Sequence, residues 1–200
     1  MTSKVNRYIF HKIVCAVRDL PRTFRRLPTP RLIMTLLVKN EEELLEKNLL
    51  FHKAMGVDAF IVTDNNSADG TYGIIEKYRR KGWVVDVIRE TATGYEQKEW
   101  VGLFREQRLV GGVADDLWVI NADADEFWYA PSGSLKKELS KSRANVLTCE
   151  VRSMYPEEDK PFWQWSKAVR PVTDLEAYDL SLYSLFERQN RKVIHRTDGY

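Results

Sequence analysis

The chain has 200 residues, 44% apolar and 30% charged, enough to bury a core and too apolar for a disordered segment. Its net charge of +2 gives no reason to expect a nucleic-acid partner, but the charge is uneven. Residues 1–31 carry eight basic side chains against one acid, Asp19, a net +7 that leaves −5 for residues 32–200, so a basic segment suited to an anionic partner precedes a mildly acidic domain.

In chain order, Val5, Ile9, Ile13, Ala16, Val17 and Leu20 recur at helical spacing with basic residues between them. Such a helix either lies on an anionic bilayer surface or packs its apolar stripe on protein. Pro21, Pro28 and Pro30 mark residues 21–30 as a linker. The continuous apolar run at 31–38 suits a strand buried on both faces. Asn40, with Glu43 three residues on, has the spacing of a capping box for a helix at 41–55, stopped by Gly56. A second strand is expected at 58–63. Asp69 can cap a helix at 71–81 that ends at Gly82. A third strand at 84–88, a helix at 97–110 and a fourth strand at 117–120 follow. A short helix at 135–139 precedes a strand at 145–151, and residues 192–196 are strand-like. Strands alternating with helices at this spacing predict an α/β fold with a mainly parallel sheet and helices on both faces. The expected organisation is a basic N-terminal segment and linker over 1–30, a ligand-binding domain over 31–150 and a further partial region over 151–200.

Cys15 and Cys149 form neither a metal-type nor a redox-type spacing, which favours a reduced compartment. No apolar run approaches the ~18 residues that would span a bilayer. The apolar stretch around Ile9 is broken by His11 and Lys12, with no small-residue cleavage site after it. The expected location is cytoplasmic, peripheral on the inner face of the membrane if residues 1–30 bind lipid.

In parallel sheets ligands bind beyond the carboxyl ends of the strands. Three such ends carry polar side chains: Val38-Lys39-Asn40-Glu41, Asp64-Asn65-Asn66-Ser67-Ala68-Asp69-Gly70-Thr71, and Asn121-Ala122-Asp123-Ala124-Asp125-Glu126-Phe127. On an extended segment Asp123 and Asp125 point the same way and can offer oxygens to one hard cation, Mg²⁺ or Mn²⁺. A diphosphate leaving group needs such an ion. Two solvated loop acids are the competing reading of Asp-x-Asp alone, and its place after a buried strand argues against that. Asp64 can accept from a base N–H or a ribose hydroxyl, or serve turn chemistry, and both can hold together. Glu41 on its own is better read as an acid at the positive end of its helix than as a nucleotide contact. His52, one turn beyond Leu45 and Leu49, reads as a hydrogen-bonded interior histidine and not a metal ligand. The aromatics Phe162, Trp163 and Trp165 read as core.

Taken together, Lys39-Asn40-Glu41, Asp64-Asn65-Asn66-Ser67-Ala68-Asp69 and Asp123-Ala124-Asp125-Glu126-Phe127 resemble the family-2-type glycosyltransferases of the GT-A fold, over about residues 31–130. The resemblance implies a Rossmann-like α/β domain, a nucleotide-diphosphate-sugar donor, a glycan or lipid-linked acceptor, Mn²⁺ or Mg²⁺, and inversion at the anomeric carbon. It implies donor contacts from Val38, Asn40, Glu41, Asp64, Asn66, Gln97, Asp123 and Glu126, a metal held by Asp123 and Asp125, and a sugar pocket shaped by Glu126 and Phe127. Enzymes of this type carry an acceptor-binding half after the point where the match fades, near residue 150. The expectation is therefore a short or C-terminally truncated domain, with Glu158 or Glu157 as the candidate catalytic base and a solvated acidic turn as the alternative. His195, inside a strand pattern, is not assigned to the metal. Rival readings are a nucleotidyltransferase, a phosphatase using Asp-x-Asp as nucleophile and acid, and a sugar-nucleotide-binding domain without catalysis. The first would want a glycine-rich loop after the first strand, where residues 38–41 hold no glycine; the second would carry its acids after the first strand, not the fourth.

Overall fold

The structure is a computed structural model that describes residues 10–14, 30–89, 116–154, 157–160, 165, 167 and 191–196. Its strands are β1 (Phe10–Val14), β2 (Arg31–Val38), β3 (Ala59–Asp64), β4 (Val84–Arg89), β5 (Leu117–Asp123), β6 (Glu126–Tyr129), β7 (Val146–Met154) and β8 (Arg191–Arg196). Its helices are α1 (Leu45–Ala54), α2 (Thr71–Arg80) and α3 (Leu135–Leu139). The strands form one sheet in the order β4-β3-β2-β5-β8-β7-β1-β6.

The first four strands of that order are mutually parallel, as the alternation of strands and helices predicts. Leu32, Met34, Leu36 and Val38 of β2 are buried against Phe60 and Val62 of β3, Leu45 and Leu49 of α1, and Trp118 and Ile120 of β5. Ile33 and Ile61 are buried as well, so the centre of the sheet is covered on both faces. Gly56 at φ +101° and Gly82 at φ +71° follow α1 and α2, in the left-handed conformation that a side chain would disfavour.

The rest of the sheet is mixed: β8 runs antiparallel to β5 and β7, β7 antiparallel to β1, and β1 parallel to β6. Two findings here depart from expectation. Residues 10–14 form a strand seated between β7 and β6, not part of a helix over 4–20. Backbone pairing on both sides overrides the helical spacing of the apolar residues there. The second is β6, which follows β5 after a two-residue turn. Asp123 and Glu126 are three residues apart and lie within ~10 Å of one another along the chain. Yet β6 is four strand steps from β5 in the sheet, ~19 Å if it were flat. This half of the sheet therefore curls back until β6 lies beside the end of β5, where α1 packs on it.

The predicted linker at 21–30, apart from Pro30, and the predicted helix at 97–110 lie outside the described residues. Among the described residues no helix is long and apolar enough to cross a membrane.

Candidate functional site

Register places the three polar loops at one rim. Val38 pairs with Asp64, Leu37 with Asp123, and Asp64 with Arg89, so β2, β3, β4 and β5 end level with one another. The first two loops are then stitched together. Asn65 N–H donates to the Val38 carbonyl at 2.9 Å, and Asn40 N–H to Ser67 Oγ at 2.9 Å. Ala68 N–H donates to Asn40 Oδ1 at 2.8 Å, Glu41 N–H to Thr71 Oγ1 at 2.7 Å, and Gly70 N–H to Glu42 Oε2 at 2.7 Å. This corrects the role expected of Asn40. It does not cap α1, which begins at Leu45; it adopts φ +56° and its amide oxygen ties down the neighbouring loop. Asp69 does meet the start of α2, accepting from Thr71 N–H at 3.0 Å and also from Glu42 N–H at 3.3 Å.

Asp64 is fully buried. Its Oδ1 accepts from Ser67 N–H at 3.0 Å, which is turn chemistry. Its Oδ2 is buried without a hydrogen-bond partner, with Arg89 Nε 3.7 Å away. The Arg89 guanidinium lies over the Tyr72 ring, 4.3 Å from its centroid. One oxygen thus builds the loop while the other remains an acceptor with no N–H or O–H on it. Asn66, at φ +52°, is exposed on the same loop.

Asp123 ends β5, but Asp125 lies in the turn before β6 and not on an extended segment. The turn, and not strand alternation, sets how the two acids face. Both still act on the same neighbours. Burial, with the charges of Asp125, Asp69 and Asp123, raises the Glu41 carboxyl to about 7. Its Oε2 is buried without a hydrogen bond. Glu126 is buried, and burial raises its pKa against the opposing pull of Lys192. Lys192 Nζ is 2.8 Å from Glu126 Oε1 and 3.7 Å from Asp123 Oδ2. Burial works against the Lys192 charge, but the Glu126 hydrogen bond and the charges of Glu126, Asp123 and Asp125 outweigh it and raise its pKa.

Among the described residues no group of three or more His, Cys, Asp or Glu is disposed to hold a metal ion. A hard divalent ion commonly takes only one or two carboxylates and completes its shell with phosphate oxygens and water. The pair Asp123 and Asp125 fits that case, with the Lys192 ammonium 3.7 Å from Asp123.

Two buried side chains on α1 hold this turn from beneath. Asn48 Nδ2 donates to the carbonyls of Ala124 at 2.9 Å and Glu126 at 3.0 Å. Trp128 N–H donates to His52 Nε2 at 2.9 Å, so Nδ1 carries the proton and donates to Asn48, whose backbone and side-chain oxygens lie at 2.9 and 2.8 Å. His52 is fully buried, as an interior histidine should be, and burial drives its pKa down to about 3. Asn48 was not singled out from sequence. Its signal is a polar residue four positions before His52, within the stripe that Leu45 and Leu49 bury. The ring of Phe127 packs on Phe51 and His52, in a small cluster with Leu44 and Met154.

Of the remaining candidates, Glu157 forms an ion pair with Lys160 at 2.6 Å and Glu158 is exposed in the same turn. Trp165 packs against the Phe127 cluster, in keeping with a core role, and its Nε1 donates to the Lys160 carbonyl at 3.0 Å. His195 lies in β8, paired with Val119 and Val146. Gln97 lies outside the described residues.

No protein-family profile matches the chain, and no curated protein matches it. Among the solved structures that share part of its path are one of S. aureus TarS and one of a mannosyltransferase. Residues 1–349 of S. aureus TarS are 23% identical over 48% of this chain and 27% of that one, with a TM-score of 0.37. The mannosyltransferase PcManGT from Pyrobaculum calidifontis, solved with GDP-Man and Mn²⁺, is 20% identical over 60% of this chain and 35% of that one, with a TM-score of 0.43. The chain thus spans about a third or less of each of these two structures.

Proposed function

We propose that the chain is a metal-assisted glycosyltransferase that moves a sugar from a nucleotide-diphosphate donor to an acceptor hydroxyl, with inversion at the anomeric carbon. The observation that carries this reading is one rim where Asp64, Glu41 and the pair Asp123 and Asp125 converge, with two buried acceptor oxygens left without donors. Asp64 Oδ2 suits a base N–H or a ribose hydroxyl. Asp123 and Asp125 would hold the divalent ion, which when bound neutralises the charge developing on the departing diphosphate. The acceptor oxygen forms its bond to the anomeric carbon as the bond to the diphosphate oxygen breaks, and the acceptor proton passes to a carboxylate. Glu158 is the candidate for that base and Glu157 the second, since the Lys160 ion pair occupies one of its oxygens.

Titrating UDP and GDP against wild type and Asp125→Ala, each with Mn²⁺ and with a chelator, tests the donor site. Wild type with Mn²⁺ should bind one nucleotide at least about tenfold more tightly than the other three conditions, the scale on which a lost ligand weakens a metal site. Equal affinity in all four would remove the metal role. Turnover of a nucleotide-sugar panel then separates catalysis from binding alone. Glu158→Gln should lower transfer about 10²-fold with nucleotide affinity unchanged, and undiminished transfer would place the base elsewhere.

A further inference from the structure

Lys192 was not expected at the site, and the sheet brings it there. β8 runs antiparallel to β5, with its last pairings at Val119–His195 and Ile120–Ile194. Two residues further along β8, Lys192 comes level with the carboxyl end of β5, where the acids begin. Its ammonium is 2.8 Å from Glu126 Oε1 and 3.7 Å from Asp123 Oδ2. Glu126 is buried, and its other oxygen accepts from Asp123 N–H at 3.3 Å. The anchor that holds the ammonium is therefore also tied to the backbone of the acid pair.

A fixed single positive charge thus already sits against one of the two carboxylates that would ligate a divalent ion. Like charges a few ångströms apart repel strongly at a half-buried site, so the ammonium weakens the site for a second cation. A nucleotide diphosphate reverses this balance, because its negative charges can neutralise the ammonium and the ion together. We propose that Lys192 is a built-in counter-cation of the acid pair that makes divalent-ion binding depend on the nucleotide diphosphate. The inference rests on the donor-site reading given above and adds an order to it: ion and nucleotide enter together, and the protein alone is a poor metal site. Lys192 acts here as a positioning residue through its charge, with no part in bond breaking.

The test is Mn²⁺ binding to the full chain at neutral pH, followed by the electron paramagnetic resonance signal of the free ion, with and without UDP or GDP. In wild type the nucleotide should tighten Mn²⁺ binding by about 10- to 100-fold, within the usual span of coupling between sites. Lys192→Gln should bind Mn²⁺ about tenfold more tightly than wild type without nucleotide, and the coupling should shrink by about the same factor. Lys192→Arg, which keeps the charge, should retain the coupling, and Lys192→Met serves in place of the Gln variant if that one does not fold. Wild type that binds Mn²⁺ equally with and without nucleotide would overturn the inference, as would a folded neutral variant with unchanged coupling. The second outcome leaves the donor-site reading standing, whereas the first also removes its metal role, because a nucleotide that does not change Mn²⁺ affinity has an affinity that Mn²⁺ does not change. Absence of Mn²⁺ binding to every protein in every condition would overturn both.

Discussion

Because Trp128 N–H donates to Nε2 of His52, that nitrogen can take up a proton only by giving up a backbone hydrogen bond inside the core. Burial holds the folded-state pKa at about 3, against 6.5 for an exposed histidine. Below pH 6.5 the unfolded chain therefore binds a proton that the folded chain does not. The contribution of His52 to stability is fully present above pH 6.5 and is lost as pH falls from 6.5 towards 3. The Glu41 carboxyl, raised to about 7, acts in the opposite sense over this range, so the test is a difference: from pH 7 to pH 5, urea unfolding should show wild type losing stability relative to His52→Gln with a slope approaching about 1.4 kcal/mol per pH unit. His52→Gln has no proton to take up at this position and keeps Glu41, so the difference holds whatever the variant's absolute stability. Parallel profiles would mean that His52 titrates normally and is not locked as the hydrogen bonds indicate.

At the scale of elements, the turn between β5 and β6 depends on α1 as much as on its own residues. The two carbonyls that Asn48 meets lie on either side of Asp125, so one amide group spans the turn that presents the acid. Asn48→Ala would strip both carbonyls of a buried donor, at about 1–3 kcal/mol for each group left unsatisfied. The expected loss is about 2–4 kcal/mol in thermal or denaturant unfolding, together with weaker Mn²⁺ binding in the nucleotide complex. A loss under about 1 kcal/mol, the scale of an ordinary exposed substitution or less, would show that the turn holds its shape alone. The loops after β2 and β3 are braced differently, by hydrogen bonds to each other through Asn40, Glu42, Ser67 and Thr71. That bracing explains why short polar residues crowd both loops: each of these side chains accepts from a backbone N–H of the opposite loop.

For the whole molecule, the curl of the sheet from β5 round to β6 makes β1 structural. It lies between β7 and β6, pairing with both. Deleting residues 1–30 would leave β6 and β7 with unpaired edges at the side of the fold that carries the turn at Asp125. The deletion should lower the unfolding midpoint by several degrees, a loss of at least about 1–2 kcal/mol for a domain of this size. An unchanged melting curve would show instead that the N-terminal segment is separable from the fold.

The parallel half of the sheet, helices α1 and α2, and the three loops at the strand ends were legible in the amino-acid sequence. Their signals are local: an apolar run at 31–38, Gly56 and Gly82 after helical patterns, Asp and Asn where a turn begins. A turn conformation or a buried stripe is encoded by residues within a few positions of one another, so one window of sequence contains its cause. The tertiary structure alone decided which polar side chains serve the acids. Asn48 meets carbonyls 76 and 78 positions away, and Lys192 reaches Asp123 only because β8 pairs antiparallel with β5. The same holds for β1 and β6, whose partners lie elsewhere in the chain and override local preference. Strand pairing and the satisfaction of buried polar groups are properties of distant contacts, so a lysine in a strand pattern and an asparagine in a helix carry no mark of the site that they complete.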